Sequence, residues 1–394
     1  MKILLVGDAN SIFFVEYVKA LKKMMDITVC VYSPEPNKNQ YSQYPYDEVY
    51  FDDYKTSKWM NNKVYRVFIA PFVIWNHFLR FLNKTQTRYD AIHLHWLLSA
   101  WTINPKKFHK YTNHLLTTFW GGELESMQLL YSHCFYLKRL GKLLNEADYC
   151  IDSSLEEDLL YKKYPQIKQK SYFGIYGSSI IECLSKMAST VEEAKSTYKI
   201  DKNKITVLLG YSGKRIHRHC DLLNLIKENA AFESYKERIH FILPMTRGAS
   251  DDYINKVEAE TVKTGCTYTI IKNTYQTDKD VATLRLATDI AFQVTDFDGL
   301  SNSIKEILCA GTVLISGDWY PNYGILKTDG FHYLEVNSIQ KAVDIFFSVL
   351  PNLDTYKKSF ETNKNVAKTN YSWTECIKPW AALYNKCNNN EAIL

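Results

Sequence analysis

The chain alternates short, continuously apolar runs with stretches in which apolar residues recur every three or four positions. Residues 2–6 form a run of the first kind and 11–23 a stretch of the second. Residues 27–32 are rich in β-branched side chains before Ser33 and Pro34 stop them. Strand, helix and strand in that order make a βαβ unit, which implies a parallel sheet. Further strands are expected at 91–95, 115–119 and 149–152, with a last strand and turn at 173–177. From about 178 to 203 the chain turns polar and rich in Lys, Glu and Ser, the composition of an interdomain connection. A second series follows, with strands at 205–209, 239–243, 268–271, 290–294 and 313–316 and helices between them. The pattern predicts an α/β protein of two Rossmann-like domains, 1–185 and 200–370, facing across a cleft. A terminal helix over 371–388 is expected to cross back to the first domain.

Length agrees with two cores, since 394 residues exceed what one ordinary domain buries. Apolar residues make up 46% and charged residues 23%, a globular composition with no low-complexity run. The nine cysteines show no paired or metal-ligand spacing, which predicts reduced core thiols. The apolar start stops at Asp8, too short for a signal peptide, and no run reaches the length of a membrane span. The expected location is cytoplasmic.

Charge changes this picture in one place. Residues 54–89 hold Lys55, Lys58, Lys63, Arg66, Arg80, Lys84 and Arg88 and no acidic residue, and these seven cations exceed the net charge of +5. Trp59, Tyr65, Phe68, Phe72, Trp75, Phe78 and Phe81 are interleaved with them. Basic, aromatic and aliphatic residues in one segment suit a surface that docks peripherally on an anionic membrane. They equally suit helices with an aromatic side in the core and a basic side in water. Nucleic acid is not expected, because charge elsewhere nearly balances.

Candidate chemistry concentrates in two stretches of the second domain. Asp298, Gly299, Leu300, Ser301, Asn302 and Ser303 lead into Glu306 and Gly311 between two predicted strands. Amides at a helix start near Ser301, Asn302 and Ser303 would point at a pyrophosphate. Wholly helical spacing would put Glu306 about 12 Å from Asp298 along the axis. That separation suits two ends of an extended ligand, with a ribose diol at Glu306 and sugar hydroxyls near Asp298. The other stretch, Gly210-Tyr-Ser-Gly213-Lys214-Arg215, sets two cations and a glycine at the start of the domain. Cations there would stabilise negative charge growing on a departing diphosphate. His217 and His219 follow closely and either could donate to a phosphate.

Asp296 and Asp298 have the Asp-x-Asp form of a divalent-metal site, but Gly299 through Gly311 account for Asp298 better, and no metal or other cofactor is expected. In the first domain Gly7 follows the first strand. His93 and His95 are expected to diverge to opposite faces of their strand, with His95 the one turned toward a ligand. Glu123, after two glycines, could hold an acceptor hydroxyl, act as a base or cap a helix.

The segment 298–311 resembles the donor motif of the retaining, family-4-type bacterial polysaccharide glycosyltransferases of the GT-B class. There an acidic residue, Gly and Phe or Leu precede a Glu eight positions on, and Asp298, Gly299, Glu306 and Gly311 fall on the fixed points, with Asp for Glu at the first. Asp90-Ala-Ile-His-Leu-His-Trp96 and Phe119-Trp-Gly-Gly-Glu123 are similar to that family's His-x-His-Trp strand and acceptor-side loop. Tyr371-Ser-Trp373 resembles the turn before its terminal helix. Residues 210–219 and Pro244-Met245 are also similar to the enterobacterial common antigen fucosamine-type transferases, which are inverting. The resemblance implies transfer of a sugar from a nucleotide-sugar donor, with UDP the default base, to a glycan or lipid-linked acceptor in capsule or O-antigen synthesis. Retention is expected, and inversion with Glu123 as base is the alternative. The stretch Gly7-Asp-Ala-Asn-Ser11 lacks dinucleotide-binding spacing, which argues against a dehydrogenase. A sugar-nucleotide epimerase and a non-catalytic sugar-nucleotide-binding scaffold remain rivals.

Overall fold

In the computed structural model, residues 1–37, 44–52, 62, 64–119, 134–152, 161–272, 277–320 and 323–389 are described. The chain forms two compact units, Met1–Gly177 with Trp373–Leu394, and Ser178–Ser372.

The first unit carries strands β1 (Lys2–Val6), β2 (Thr28–Ser33), β3 (Glu48–Phe51), β4 (Tyr89–His95), β5 (Thr112–Phe119), β6 (Tyr149–Asp152) and β7 (Ser171–Phe173). They pair in parallel in the order β3-β2-β1-β4-β5-β6-β7. Apolar runs rather than alternation mark these strands because the sheet is covered on both faces. Leu4 and Val6 point into a core with Tyr32, Ile92, Phe78 and Trp101. Ile3 and Leu5 point the other way, into a core with Phe14, Tyr17, Trp380 and Tyr384. The last two come from the terminal helix Trp373–Asn388, which belongs to this unit.

The second unit carries β8 (Ile205–Leu209), β9 (Ile239–Pro244), β10 (Thr267–Ile271), β11 (Ile290–Gln293), β12 (Val313–Gly317) and β13 (Leu334–Val336). These are also parallel, in the order β10-β9-β8-β11-β12-β13. In each sheet the order reverses once, between β1 and β4 and between β8 and β11. A crevice opens beyond the carboxyl ends of strands at such a reversal, because the connections leave to opposite faces.

The polar stretch 178–203 is not a connection. Ser178 Oγ caps the helix Ser179–Lys186 by accepting from the Ile180 amide at 3.2 Å, and Thr190 and Glu193 form a reciprocal capping box on Val191–Thr197. Both helices belong to the second unit, with Ile180, Ile181, Leu184 and Ala194 buried. Their polarity reflects a solvated face and capping residues. The boundary falls instead at Gly177, where a β-carbon would stand 2.7 Å from the backbone of Trp373.

The basic aromatic segment divides. Its helix Ala70–Thr85 buries Ile74, Trp75, Phe78 and Leu82 in the core, while Arg80, Lys84 and Arg88 face water. It is preceded by a π-helical turn, Tyr65–Ile69, and there Val64, Phe68 (67% exposed) and Ile69 stand in solvent with Phe72. Lys55, Lys58, Trp59 and Lys63 lie outside the described residues. No helix among the described residues is long and apolar enough to cross a membrane.

One buried charge cluster ties the second unit together. Asp289 (3% exposed) sits at the start of β11 and takes Lys195 at 2.7 Å, the Lys357 ammonium, and the Thr206 amide and hydroxyl, each at 2.8 Å. Burial pushes its carboxyl up, but Lys357 and Lys195 outweigh that and hold it below the usual carboxylate range. Asp289→Asn should therefore destabilise the unit by about 3–5 kcal/mol at neutral pH. Because the folded pKa is the lower one, the stabilisation is present above the unfolded value near 3.8 and fades as pH falls through the folded value. Denaturant midpoints of the two proteins should differ widely at pH 7 and draw together as pH falls below 3.8. Equal midpoints at pH 7 would refute the account.

Candidate functional site

The reversal between β8 and β11 gathers most of the candidate residues. After β8 the chain turns at Gly210, whose φ of +69° and a would-be β-carbon 2.8 Å from the His217 ring both require glycine. Gly213 donates its amide to Arg247 O at 2.9 Å, and a β-carbon there would come within 2.5 Å of Ala249 Cβ. Lys214 and Arg215 follow as exposed side chains, with the Arg215 guanidinium 5.0 Å above the Tyr253 ring. Arg215, Arg218, Lys256, Tyr253 and Asp296 line an open depression of about 440 Å³.

His217 and His219 are buried, not exposed phosphate donors. His217 Nε2 lies 2.9 Å from Ser212 Oγ, its ring meets Tyr211 edge-on at 4.4 Å, and burial lowers its pKa to about 3. His219 opens the helix His219–Glu228 with Nδ1 3.1 Å from the Tyr253 hydroxyl, and burial lowers it to about 4. Both are neutral near pH 7 and add no positive charge.

After β11 the chain passes Thr295 and Asp296 into the 298–301 turn. Gly299 is exposed at its tip, Leu300 adopts φ +63°, and Ser301, Asn302 and Ser303 are half-buried at the start of the helix Asn302–Cys309. The Ser301 hydroxyl does not cap that helix. Asp298 Oδ1 accepts the Ser301 amide instead, at 2.8 Å. Asp298 Oδ2 accepts the Tyr211 hydroxyl at 2.5 Å and Gln293 Nε2 at 2.9 Å. The carboxylate is 4% exposed, whereas the Asp296 side chain is 65% exposed and 3.9 Å from Arg218. One member of the Asp-x-Asp pair thus faces in and the other out. Among the described residues no cluster of His, Cys, Asp and Glu has metal-binding geometry.

Glu306 lies within that helix, buried, and pairs with Arg285 through Oε2 at 3.2 Å while Oε1 accepts the Ser178 hydroxyl at 2.9 Å. Arg285 and Ser178 are themselves buried. A carboxylate has about four acceptor directions; Arg285 Nε and Nη2 fill both on Oε2, and Oε1 keeps one beside Ser178 for a further donor such as a ribose hydroxyl.

In the first unit Gly7 and His95 meet at the other reversal. A β-carbon on Gly7 would lie 3.3 Å from His95 Cβ and 3.1 Å from the Phe14 ring. The expectation that His93 and His95 diverge is wrong, because residues two apart on a strand share a face. Their rings lie 4.0 Å apart. His93 is satisfied at both nitrogens, by Tyr384 and Thr118 hydroxyls at 2.6 Å each, and burial takes its pKa to about 3. His95 Nδ1 meets the Tyr176 hydroxyl at 2.8 Å, and burial, then His93, holds it well below the usual range. Trp380 of the terminal helix stacks on it. Glu123 lies outside the described residues.

Sequence reasoning passed over Tyr211, Gln293, Arg285 and Ser178, the partners of the two acidic residues. The available signals were Gln293, polar at the end of an apolar strand, and Tyr211, inside the glycine loop itself.

Comparison with known proteins places this architecture. No protein-family model matches the chain. An uncharacterized glycosyltransferase of Methanocaldococcus jannaschii is 24% identical over 260 residues, 65% of this chain, and the chain spans 63% of that relative. Among solved structures, a glycosyltransferase from Rickettsia africae superposes with TM-score 0.70 at 14% identity over 99% of both chains. The Anabaena protein HepE, in complex with UDP, superposes with TM-score 0.69 at 12% identity over 98% of this chain and all of its own. The chain has the two-Rossmann, GT-B fold of these proteins.

The four histidines give this reading an acid-dependent consequence. Their folded pKa values lie below the ordinary 6.5, so an unfolded chain takes up protons that the folded one refuses. Stability should fall as pH drops from about 6.5 toward 4, by about 2 kcal/mol at pH 5 for each of His93, His217 and His219, with His95 acting in the same direction. Urea unfolding at pH 7.5 and pH 5 measures this; equal stabilities would mean that these rings are not buried neutral.

Proposed function

We propose that this chain is a glycosyltransferase that moves a sugar from a nucleoside-diphosphate sugar, UDP by preference, to a glycan or lipid-linked acceptor of a surface polysaccharide. One observation carries the reading. The loop bearing Lys214 and Arg215 and the turn leading to the helix Asn302–Cys309 emerge side by side from β8 and β11, where the strand order reverses. Cations on one loop and a helix start on the other suit a diphosphate, and Glu306 lies along the same helix where a ribose would lie. HepE, of the same fold, binds UDP, and its complexes with UDP-glucose and with UDP and glucose extend the likeness to a sugar donor.

The proposed chemistry needs no metal. Breaking the bond from the sugar's anomeric carbon to the diphosphate puts negative charge on phosphate oxygens, which Lys214, Arg215 and the amides from Ser301 to Ser303 stabilise. The acceptor oxygen forms its bond to the same carbon on the same face, and its proton passes to the departing diphosphate. The anomeric configuration is thereby retained without a protein nucleophile. Gly7 and His95, at the corresponding reversal of the first sheet, are the first unit's candidates for ligand contact.

The test is acceptor-dependent release of nucleoside diphosphate from a panel of UDP-, GDP- and dTDP-sugars, with and without chelator, and NMR of the first-formed product. We expect turnover to persist in chelator and the product to keep the donor's anomer. Glu306→Gln should lose about 1–3 kcal/mol of nucleotide affinity. Inversion, or rescue of chelated enzyme by Mn²⁺, would refute the mechanism; no transfer from any donor would refute the function.

Access to a lipid-linked acceptor would use the exposed end of the segment 64–72, on the cytoplasmic face of a membrane. Val64, Phe68, Ile69 and Phe72 are presented there, with Arg139 5.8 Å from the Phe72 ring. Burying such a side chain in lipid contributes about 1.5–3 kcal/mol. Sedimentation with phosphatidylserine vesicles should recover the protein at low salt and part of it at 0.5 M salt. Phe68→Asp with Ile69→Asp should abolish the salt-resistant part; unchanged sedimentation of that variant would remove this surface from the reading.

A further inference from the structure

Asp298 occupies the position that the sequence resemblance assigns to the donor sugar, yet its surroundings describe a different task. Three of the carboxylate's acceptor directions are filled, by the Tyr211 hydroxyl at 2.5 Å, Gln293 Nε2 at 2.9 Å and the Ser301 amide at 2.8 Å. The three donors come from three places: the loop after β8, the end of β11 and the residue that opens the helix Asn302–Cys309. With 4% of its surface exposed, the group presents almost nothing to a ligand.

What it does present is a tie. β8 and β11 are neighbours at the reversal, and the Tyr211–Asp298 bond joins the loops that leave them. Lys214 and Arg215 hang on one side of that bond and the helix start on the other. A second tie runs parallel to it, from the Asp296 amide to Ile216 O at 3.2 Å. Gln293 is fixed in turn by the Tyr323 hydroxyl at 3.0 Å, and Tyr320 bonds Thr295 at 2.9 Å. Burial, then the charge of Asp298, pushes the Tyr211 hydroxyl up, so it stays protonated and donating.

We propose that Asp298 and Tyr211 are positioning residues that set the spacing between the two phosphate-facing loops, and that Asp298 does not hold the donor sugar. The inference rests on the donor-site reading above and separates from it cleanly. A residue that touches only the sugar leaves the affinity for a nucleoside diphosphate without sugar unchanged. A residue that sets the spacing of the phosphate-facing loops changes affinity for both by the same factor.

Calorimetry with UDP and with UDP-glucose distinguishes these cases, using wild type, Tyr211→Phe, Asp298→Asn and the double variant. We expect each single variant to weaken both ligands by about ten-fold, with the double variant little worse than Asp298→Asn, since the two act through one bond. Asp298→Glu should weaken UDP as well, because a longer side chain moves the carboxylate off its three donors. UDP affinity unchanged in Asp298→Asn, with loss confined to UDP-glucose, would overturn the inference and return Asp298 to the sugar while leaving the donor site standing. If Asp298→Asn does not fold, Tyr211→Phe decides alone, since it removes one hydroxyl: a lowered melting temperature with unchanged UDP affinity overturns the proposal. A wild type that binds none of UDP, GDP and dTDP overturns the donor-site reading itself.

Discussion

The candidate site of the second unit depends on one constraint, the parallel pairing of β8 with β9 on one side and β11 on the other. Parallel strands cannot be joined by tight turns, so each crossover must travel over a face of the sheet. Where the order reverses, consecutive crossovers leave to opposite faces and the two carboxyl ends are left uncovered between them. Polar groups that would be intolerable within the sheet can collect there. Gly210 to Arg215 and Thr295 to Ser303 do so, while β8 and β11 beneath them remain wholly buried.

The same constraint explains how the buried charges are distributed. Asp289 opens β11 at the amino edge and is neutralised by Lys195 and Lys357, an arrangement that anchors structure. Asp298 lies past the carboxyl edge of that strand and is satisfied by neutral donors, a hydroxyl, an amide side chain and a backbone amide. Among the described residues no cation pairs with it. Lys214 and Arg215, on the loop that Tyr211 belongs to, are exposed.

The strands were legible because buried parallel strands are short unbroken apolar runs; 205–209 is matched residue for residue by β8. β3 and β13 were not, since Glu48–Phe51 is a largely exposed edge and Leu334–Val336 is only three residues long, and the strand expected at 173–177 lies instead at Ser171–Phe173. Asp298 and Glu306 stood out as candidates by their eight-residue spacing, a local property of the turn and the helix Asn302–Cys309 that follows it. Their partners were not, because Tyr211 is 87 residues from Asp298 and Ser178 is 128 from Glu306, and such pairings leave no periodic trace. The histidine pair was misjudged on period alone, two being the repeat of a strand face. Residues 178–203 looked like a connection because small amphipathic helices with good caps are mostly polar in composition. The segment 54–89 supported two readings because its described portion does both, with Trp75 and Phe78 in the core and Phe68 in water.

Leu300 carries a further consequence. It stands in the left-handed region at φ +63°, a conformation that costs a residue with a β-carbon roughly 1–2 kcal/mol. Its side chain is nonetheless buried, and the turn it completes is closed by Asp298 accepting from Ser301. Glycine would relieve the strain but would lose that packing and regain, in the unfolded and loosened chain, the conformations that leucine forbids. This position therefore sets thermal robustness against the sharpness of the turn. A bulky residue here holds the start of the helix Asn302–Cys309 stationary at the cost of local strain that its burial offsets.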